Sequence, residues 1–597
     1  MNAKALTVVL CSIVPTLVLA NYQGPRETTE RELTNLTAFF KLIGYVRYFH
    51  PSDECAAANW DRVAIEGVGA VEKAKDAAEL AERLEQFFKP LAPSLRVFPT
   101  GKRPEVDLVE PNEATRVLAW RHLSVPPPRG DEKYSSMRFD LKREKPLASK
   151  ALKEIPGPDP AKPFEADLGG GVSVVMPVAV YADDAGTLPR GDKKYLAEFK
   201  SRPTDFVPSG QDRATRLAAV GLAWNSVQHF YPYFDVLKVD WPGELKRVLK
   251  RAALDSSDGD LAVTLRGLLA GLRDGHVAVF MPKPPTPFYP ALRWDWVQDR
   301  LTIVQVGTDH RATLKPGDVV VKIDGKPAAQ LIAERNARAG YDIPNLKYSR
   351  GTLLAAADTK KSAMELEVQT GTQSARRVTV PRALGVPEFL KMRNEPRPAP
   401  IAEVKPGIWY IDVERATPKE FETAIAKLEK AVGLIYDVRG YPRIPLETLL
   451  RHLVDKEAAF VPVYLPVVLY PDRKYMTFIQ GRSGAVEPKA PRLHAKVVFL
   501  TDARAISAAE TLLATAQHHK LGTIVGSPTA GANGNLRVIR LPAGFEIQYT
   551  GVKVLNFDGS SFHTRGVVPD IVTRRTLQGV AQERDEVLER AIKSLQG

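Results

Sequence analysis

The chain reads as a multidomain protein: its last third is an α/β layer, and helical units and β-rich segments precede it. Three observations predict this. Its 597 residues are too many for one apolar core. Two helix-forming stretches recur at a fixed offset. After residue 386, short apolar strands alternate with runs of good helix formers, the order of a mostly parallel sheet covered by helices.

Residues 1–20 predict an export signal. Lys4 supplies the charge, Leu6 to Leu19 the apolar run, and Val18-Leu-Ala20 the small-residue cleavage pattern. The run is short for a bilayer span, and no other segment is long and apolar enough. The mature chain is therefore expected to lack an integral membrane span and to be periplasmic or secreted. Cys11 lies in the apolar run without the small residues of a lipoprotein site. Only Cys55 would remain, so stability is expected from packed cores rather than an internal disulfide.

Residues 21–99 and 208–288 form the repeat. Phe49, Pro51 and Trp60 match Phe230, Pro232 and Trp241, and Leu80, Leu84 and Leu91 match Leu261, Leu265 and Leu272. The offset is 181 (230 minus 49, 241 minus 60). Each unit predicts an aromatic-rich helix, a Phe-x-Pro turn, a Trp helix and a Leu-periodic helix. His276 falls at the place of Leu95, since 276 minus 181 is 95. One scaffold thus carries histidine in one copy and an aliphatic in the other, as expected if packing does not demand His276.

Between the units, residues 100–207 are rich in Pro and Gly. The stretch Val172-Ser-Val-Val-Met-Pro-Val-Ala-Val180 predicts a small β-rich insert, and Val125-Pro-Pro-Pro-Arg129 and Ile155-Pro-Gly-Pro-Asp-Pro160 predict loops. Residues 289–385 predict short strands. There, Leu314-Lys-Pro-Gly-Asp-Val-Val-Val-Lys-Ile-Asp-Gly-Lys-Pro327 gives a Pro-Gly turn, an alternating strand and an Asp-Gly hairpin turn. This string resembles the PDZ domain, which takes peptide C-termini by strand addition.

In residues 386–597 the expected order is strand Gly407 to Val413, helix Pro418 to Val432, strand Gly433 to Val438, a helix after Pro445, strand Val497 to Thr501 and helix Ser507 to His518. Ligand sites in such layers gather where strands end and helices begin.

The net charge of +13 invites a nucleic-acid reading. Lys and Arg are interleaved with Asp and Glu, however, and there is no zinc-finger spacing or RNA-binding aromatic signature. The charge reads as a basic solvated surface, with acidic polymers or anionic lipid as weak partners and no nucleic acid.

Ser507 is the candidate nucleophile. It opens a helix where free backbone N–H groups point outward, and such donors can hold an oxyanion. A plain N-cap serine is the bland alternative. Four segments in order sharpen the reading: Arg273-Asp-Gly-His276, Tyr436-Asp-Val-Arg-Gly-Tyr-Pro442, Ser507-Ala-Ala-Glu510, and Gly526-Ser-Pro-Thr-Ala-Gly531 followed by His563-Thr-Arg-Gly-Val-Val-Pro-Asp570. Together with the PDZ-like string they resemble the tail-specific (C-terminal-processing) and tricorn-core family of serine peptidases, over roughly residues 215–597.

The resemblance implies a crotonase- or Clp-protease-like core with helical and PDZ-like domains attached. It puts the nucleophile at Ser507 and one oxyanion donor at the amide of Ala508. The second donor is a backbone amide of the turn at Gly440, Tyr441 or Arg443; Pro442 has none. The lysine of the C-terminal-processing branch is replaced by Ala532. The tricorn-like branch uses a histidine, and His276 stands there, an imidazole with the pKa range a serine needs beside it. Two departures remain: Gly275 replaces a serine before the histidine, and His563 replaces a glutamate before Gly566-Val-Val-Pro-Asp570. Asp274, Glu510, Asp558 and Asp570 are the candidate orienters of His276. A capping-box role is preferred for Glu510, and His563 is read equally as a substrate contact or a turn cap.

The expected function is an exported serine endopeptidase acting on peptides or proteins, with no cofactor and no metal, since the histidines show no ligand spacing. A homo-oligomer remains open. The alternatives are a non-catalytic carrier of an apolar ligand or peptide on the same scaffold, and an esterase or amidase.

Overall fold

The computed structural model describes residues 24–105, 116–124, 136–143, 155–191, 197, 207–340, 343–392 and 396–596. The expected export signal and parts of segment 100–207 lie outside the described residues.

Helix boundaries fall within two residues of the offset read from the sequence. Glu30–Phe49, Trp60–Val71 and Ala77–Phe88 correspond to Arg213–Phe230, Trp241–Leu254 and Asp258–Leu269. Equivalent helices open on side-chain caps, Asn59 and Asp240, then Asp76 and Ser257, which satisfy first-turn N–H groups. The two sets share one apolar core. Phe40 packs over Gly221. Arg213 grips Glu72 through two hydrogen bonds of 2.5 and 3.1 Å, with both side chains buried.

Segment 100–207 does not close on itself. Its strands Arg116–Leu123, Ser136–Asp140, Ala179–Asp183 and Gly186–Thr187 lie in one seven-stranded sheet with Val463–Val468, Thr477–Gln480 and Lys553–Val554 from the last third. His122 pairs with Val468 across that seam.

Residues 289–384 build a separate antiparallel sheet of seven strands, with helices Ala328–Ala339 and Lys347–Ala356 packed on it. The turn between Val319–Ile323 and Lys326–Pro327 has positive φ at both Asp324 (49°) and Gly325 (78°), as a two-residue hairpin requires.

The last third is centred on a six-stranded sheet in the order Ile401–Lys405, Ile408–Asp412, Gly433–Asp437, Lys496–Thr501, Thr523–Gly526 and Ile571–Val572. The first pairing is antiparallel and the others parallel. Alternate residues face opposite layers. Leu434, Tyr436 and Phe499 pack with Phe421, Leu512 and Leu513, while Ile435, Val498 and Leu500 pack with Val587, Leu588 and Ala591 of helix Glu586–Gln596. The expected helix Pro418 to Val432 ends earlier, at Leu428. A three-stranded sheet ties the helical part to this core: Ala278–Phe280 pairs with Glu546–Thr550, which pairs with Leu536–Arg540. Among the described residues no helix is long and apolar enough to cross a membrane.

Candidate active site

Strand Lys496–Thr501 runs through the middle of the parallel sheet, and helix Ala508–His518 leaves its carboxyl end. Ser507 sits at the junction with φ 58° and ψ −115°. The side-chain caps Thr29, Asp76 and Thr417 are all extended, so Ser507 departs from the plain N-cap conformation. A left-handed φ on a non-glycine residue is held only where its surroundings dictate it, and such residues collect at active sites. A strained strand-to-helix turn of this kind lifts a serine hydroxyl off the end of a sheet.

Glu510 supplies much of that constraint. Fully buried, it accepts from the backbone N–H of Ser507 at 3.2 Å, of Gly531 at 2.7 Å and of Ala532 at 3.0 Å, and from the Thr529 hydroxyl at 2.5 Å. Burial pushes its pKa up to about 7, outweighing those hydrogen bonds. Gly566 borders the same carboxylate: a Cβ there would come within 2.2 Å of Thr529 Oγ1 and 2.9 Å of Glu510 Oε1. Glu510 thus faces the Gly-rich turn and makes no bond to His276. The Ser507 N–H also reaches the Ala532 carbonyl at 3.0 Å.

His276 lies in the turn between the short helix Ala270–Leu272 and strand Ala278–Phe280. This turn packs against the neighbours of Ser507. A Cβ on Gly275 would fall 2.7 Å from Cβ of Ala532, 2.9 Å from Cδ1 of Leu346 and 3.3 Å from Cδ1 of Ile506. That close approach accounts for glycine, rather than the family's serine, before His276. Ala532 is buried there as well. No hydrogen bond is formed between the Ser507 hydroxyl and the His276 ring; their two turns meet across Ala532 and Ile506.

Asp274 and Thr550 surround the imidazole. The His276 N–H donates to Asp274 Oδ1 at 2.9 Å. The Thr550 hydroxyl lies 2.8 Å from the same oxygen and 2.9 Å from His276 Nδ1. The Thr550 N–H donates to Asp274 Oδ2 at 2.7 Å. Arg350 donates to the Gly275 carbonyl at 2.7 Å. Burial lowers the His276 pKa below 6.5, partly offset by the charge of Asp274 and reinforced by Arg350 and His563.

The remaining candidates separate clearly. His563 is buried, lies flat on Tyr233 at 4.3 Å and places Nε2 3.1 Å from the Leu272 carbonyl, so it braces the turn leading to His276. Asp558 accepts from the Ser560 N–H within its own turn, and Asp570 accepts from the Ile524 N–H of strand Thr523–Gly526, so both carboxylates are engaged elsewhere. In the 440–443 turn, the Arg443 N–H is already given to the Val413 carbonyl at 2.9 Å. Gly440 and Tyr441 are left as the second-donor candidates beside Ala508.

Beneath the site, Arg439 bridges Asp437, at 2.9 and 2.6 Å, to Asp585 at 2.9 and 2.7 Å. A cleft of about 700 Å³ opens beside Ile506, between the antiparallel β body and the parallel sheet. Trp296, Tyr348, Arg350, Arg504 and Pro528 are among its walls, with the Trp296 and Tyr348 rings stacked at 4.6 Å. Thr550 and Arg350 carried no signal in the sequence: one is an ordinary strand threonine, the other an ordinary helix arginine.

Residues 407–573 match the model of Peptidase family S41. The crystal structure of mature CPAF is similar in fold, with a TM-score of 0.53 and 14% identity over 64% of this chain and 96% of that one. Mature CPAF complexed with lactacystin gives a TM-score of 0.53 and 14% identity over 64% and 98%. The tricorn protease matches over 70% of this chain and 40% of its own, at 15% identity and a TM-score of 0.34. A search of curated proteins found no match.

Proposed function

We infer, from the premise that this chain carries a peptidase family S41 core at residues 407–573 and is a serine-type peptidase, that it is an exported endopeptidase of the tricorn-like branch working through Ser507 and His276. The observation that carries this is the φ of 58° at Ser507, at the carboxyl end of a central parallel strand and the start of a helix.

Ser507 Oγ attacks the peptide carbonyl carbon while His276 takes its proton through Nε2, the ring nitrogen left open by the Thr550 contact at Nδ1. The carbonyl oxygen becomes an oxyanion, held by the Ala508 amide and by one amide of Gly440 or Tyr441. The imidazolium returns its proton to the leaving amine, giving the acyl-enzyme. Water then attacks the ester, with His276 again the base. The pair closes to hydrogen-bond distance on substrate binding, as catalytic contacts often do. The buried Ala532 supports a histidine rather than a lysine base.

Substrate reaches Ser507 through the cleft beside Ile506. Its stacked Trp296 and Tyr348 rings and its arginines suit an extended peptide. We assign residues 289–385 as PDZ-like and residues 1–20 as the export signal.

A fluorophosphonate probe tests the reading. Ser507→Ala and His276→Ala should each abolish labelling and peptide hydrolysis while leaving the fold intact. Labelling that survives either substitution would overturn the assignment. An unlabelled wild type that binds an apolar ligand tightly would make the protein a carrier, and turnover of esters but not peptides would make it an esterase.

A further inference from the structure

We propose that Thr550 and Asp274 are the positioning residues that fix the tautomer of His276, standing in for a carboxylate that would touch the ring directly. The proposal rests on Ser507 and His276 acting as nucleophile and base.

The argument starts from donor counting. Asp274 is buried, and three donors converge on it: the His276 N–H, the Thr550 N–H and the Thr550 hydroxyl. A carboxylate accepts all three. The Thr550 hydroxyl has one hydrogen, and Asp274 Oδ1 takes it at 2.8 Å. The Thr550 oxygen can then only accept from His276, at 2.9 Å. Nδ1 therefore carries the ring proton, and Nε2 is left as a lone-pair acceptor. A general base at Ser507 needs that tautomer.

Direct support by Asp274 is excluded by distance, because its Oδ1 is 3.9 Å from Nδ1. His563 cannot substitute, since its Nε2 is turned to the Leu272 carbonyl. Thr550 closes the gap from the core side. It is the last residue of Glu546–Thr550, whose neighbour Gln548 donates to the His276 carbonyl at 2.9 Å. The pairing of that strand with Ala278–Phe280 thus sets both the position of the ring and its protonation pattern. The ionisable groups that face His276 are Asp274 on its own turn, Arg350 on helix Lys347–Ala356 and His563 near the C-terminal tail.

The test uses the full chain, the fluorophosphonate labelling rate as a function of pH, and nitrogen NMR of labelled imidazole. In the wild type, the resonances lost in His276→Ala should report the Nδ1–H tautomer. Thr550→Val keeps the side-chain shape and removes the hydroxyl; it should slow labelling about 10- to 100-fold, the scale of one hydrogen bond to a charged group. Thr550→Ser should restore most of the rate. Asp274→Asn replaces one acceptor oxygen by an NH2 group that meets the backbone N–H of either His276 or Thr550, and it removes the charge that holds the Thr550 hydroxyl in its donor orientation. It should slow labelling at least as much and move the acid limb to lower pH, because a charge that raises the imidazole pKa is gone. An Nε2–H tautomer in the wild type would overturn the proposal. So would wild-type rates and an unmoved acid limb in folded Thr550→Val and Asp274→Asn, even with Ser507→Ala and His276→Ala inactive. Labelling that persists in His276→Ala would instead sink the serine–histidine reading on which the proposal rests.

Discussion

A serine at φ 58° costs about 1–3 kcal/mol relative to a relaxed backbone, so something must hold Ser507 there. Glu510 does so by gathering Ser507, Gly531 and Ala532 N–H groups and the Thr529 hydroxyl onto one buried carboxylate. Glu510→Gln sets an NH2 group against donors. It should cost about 1–3 kcal/mol in urea unfolding, and it should lower kcat more than it raises KM, because the turn that holds Ser507 loosens. Unchanged stability and kcat would show that the turn is held by packing alone. The pH dependence has a definite sign. With its pKa raised from 4.5 to about 7, the folded chain keeps a proton that the unfolded chain has already released. The stability contributed by that proton is complete below about 4.5 and is lost as pH rises through 7. Between those limits, Glu510→Gln should therefore flatten part of the fall in stability with pH.

At the level of elements, the strand–helix alternation of the last third was legible because its strands are buried on both faces and so read as continuous apolar runs, such as Gly433-Leu-Ile-Tyr-Asp437 and Val497-Val-Phe-Leu-Thr501. The helices of residues 30–88 and 213–269 were legible because each carries aromatic and leucine positions at helical spacing behind a polar cap. The seam between segment 100–207 and Val463–Val468 was not legible, since strand pairing across more than three hundred residues leaves no local pattern. Thr550 was invisible for the same reason: its role comes from the register of Glu546–Thr550 against Ala278–Phe280, and not from its neighbours in the chain. Nothing local in the chain links Asp437 and Arg439 to Asp585, which pins the C-terminal segment under the site. Paired with Arg439 and close to Arg397, Asp437 titrates far below the usual carboxylate range, despite its burial. Asp437→Ala leaves a buried guanidinium undercompensated and should cost about 3–5 kcal/mol in chemical denaturation. A loss well under 1 kcal/mol would mean that Asp585 alone satisfies Arg439.

On the scale of the whole molecule, the first helical unit cannot be a detachable preface. Helix Arg213–Phe230 is buried at every residue but Ala214, and much of that cover comes from Glu30–Phe49 and its neighbours. Phe40 lies over Gly221, the Asn225 amide donates to the Phe40 carbonyl at 2.7 Å, and Glu72 neutralises the buried Arg213. The same helix also reaches the peptidase core, where the Ser226 hydroxyl and the Tyr549 hydroxyl are 3.1 Å apart. Tyr549 immediately precedes Thr550. Removing residues 1–99 would strip apolar cover from this helix and leave Arg213 unpaired in an apolar wall, loosening the helix whose Ser226 meets Tyr549 beside Thr550. The truncated chain should be insoluble or, if soluble, unlabelled by fluorophosphonate. The milder Glu72→Gln should lower Tm while leaving the labelling rate per folded molecule close to wild type, because the damage enters through packing and not through the site. A truncated chain that is folded, monodisperse and labelled at the wild-type rate would show that the second unit carries His276 without help from the first.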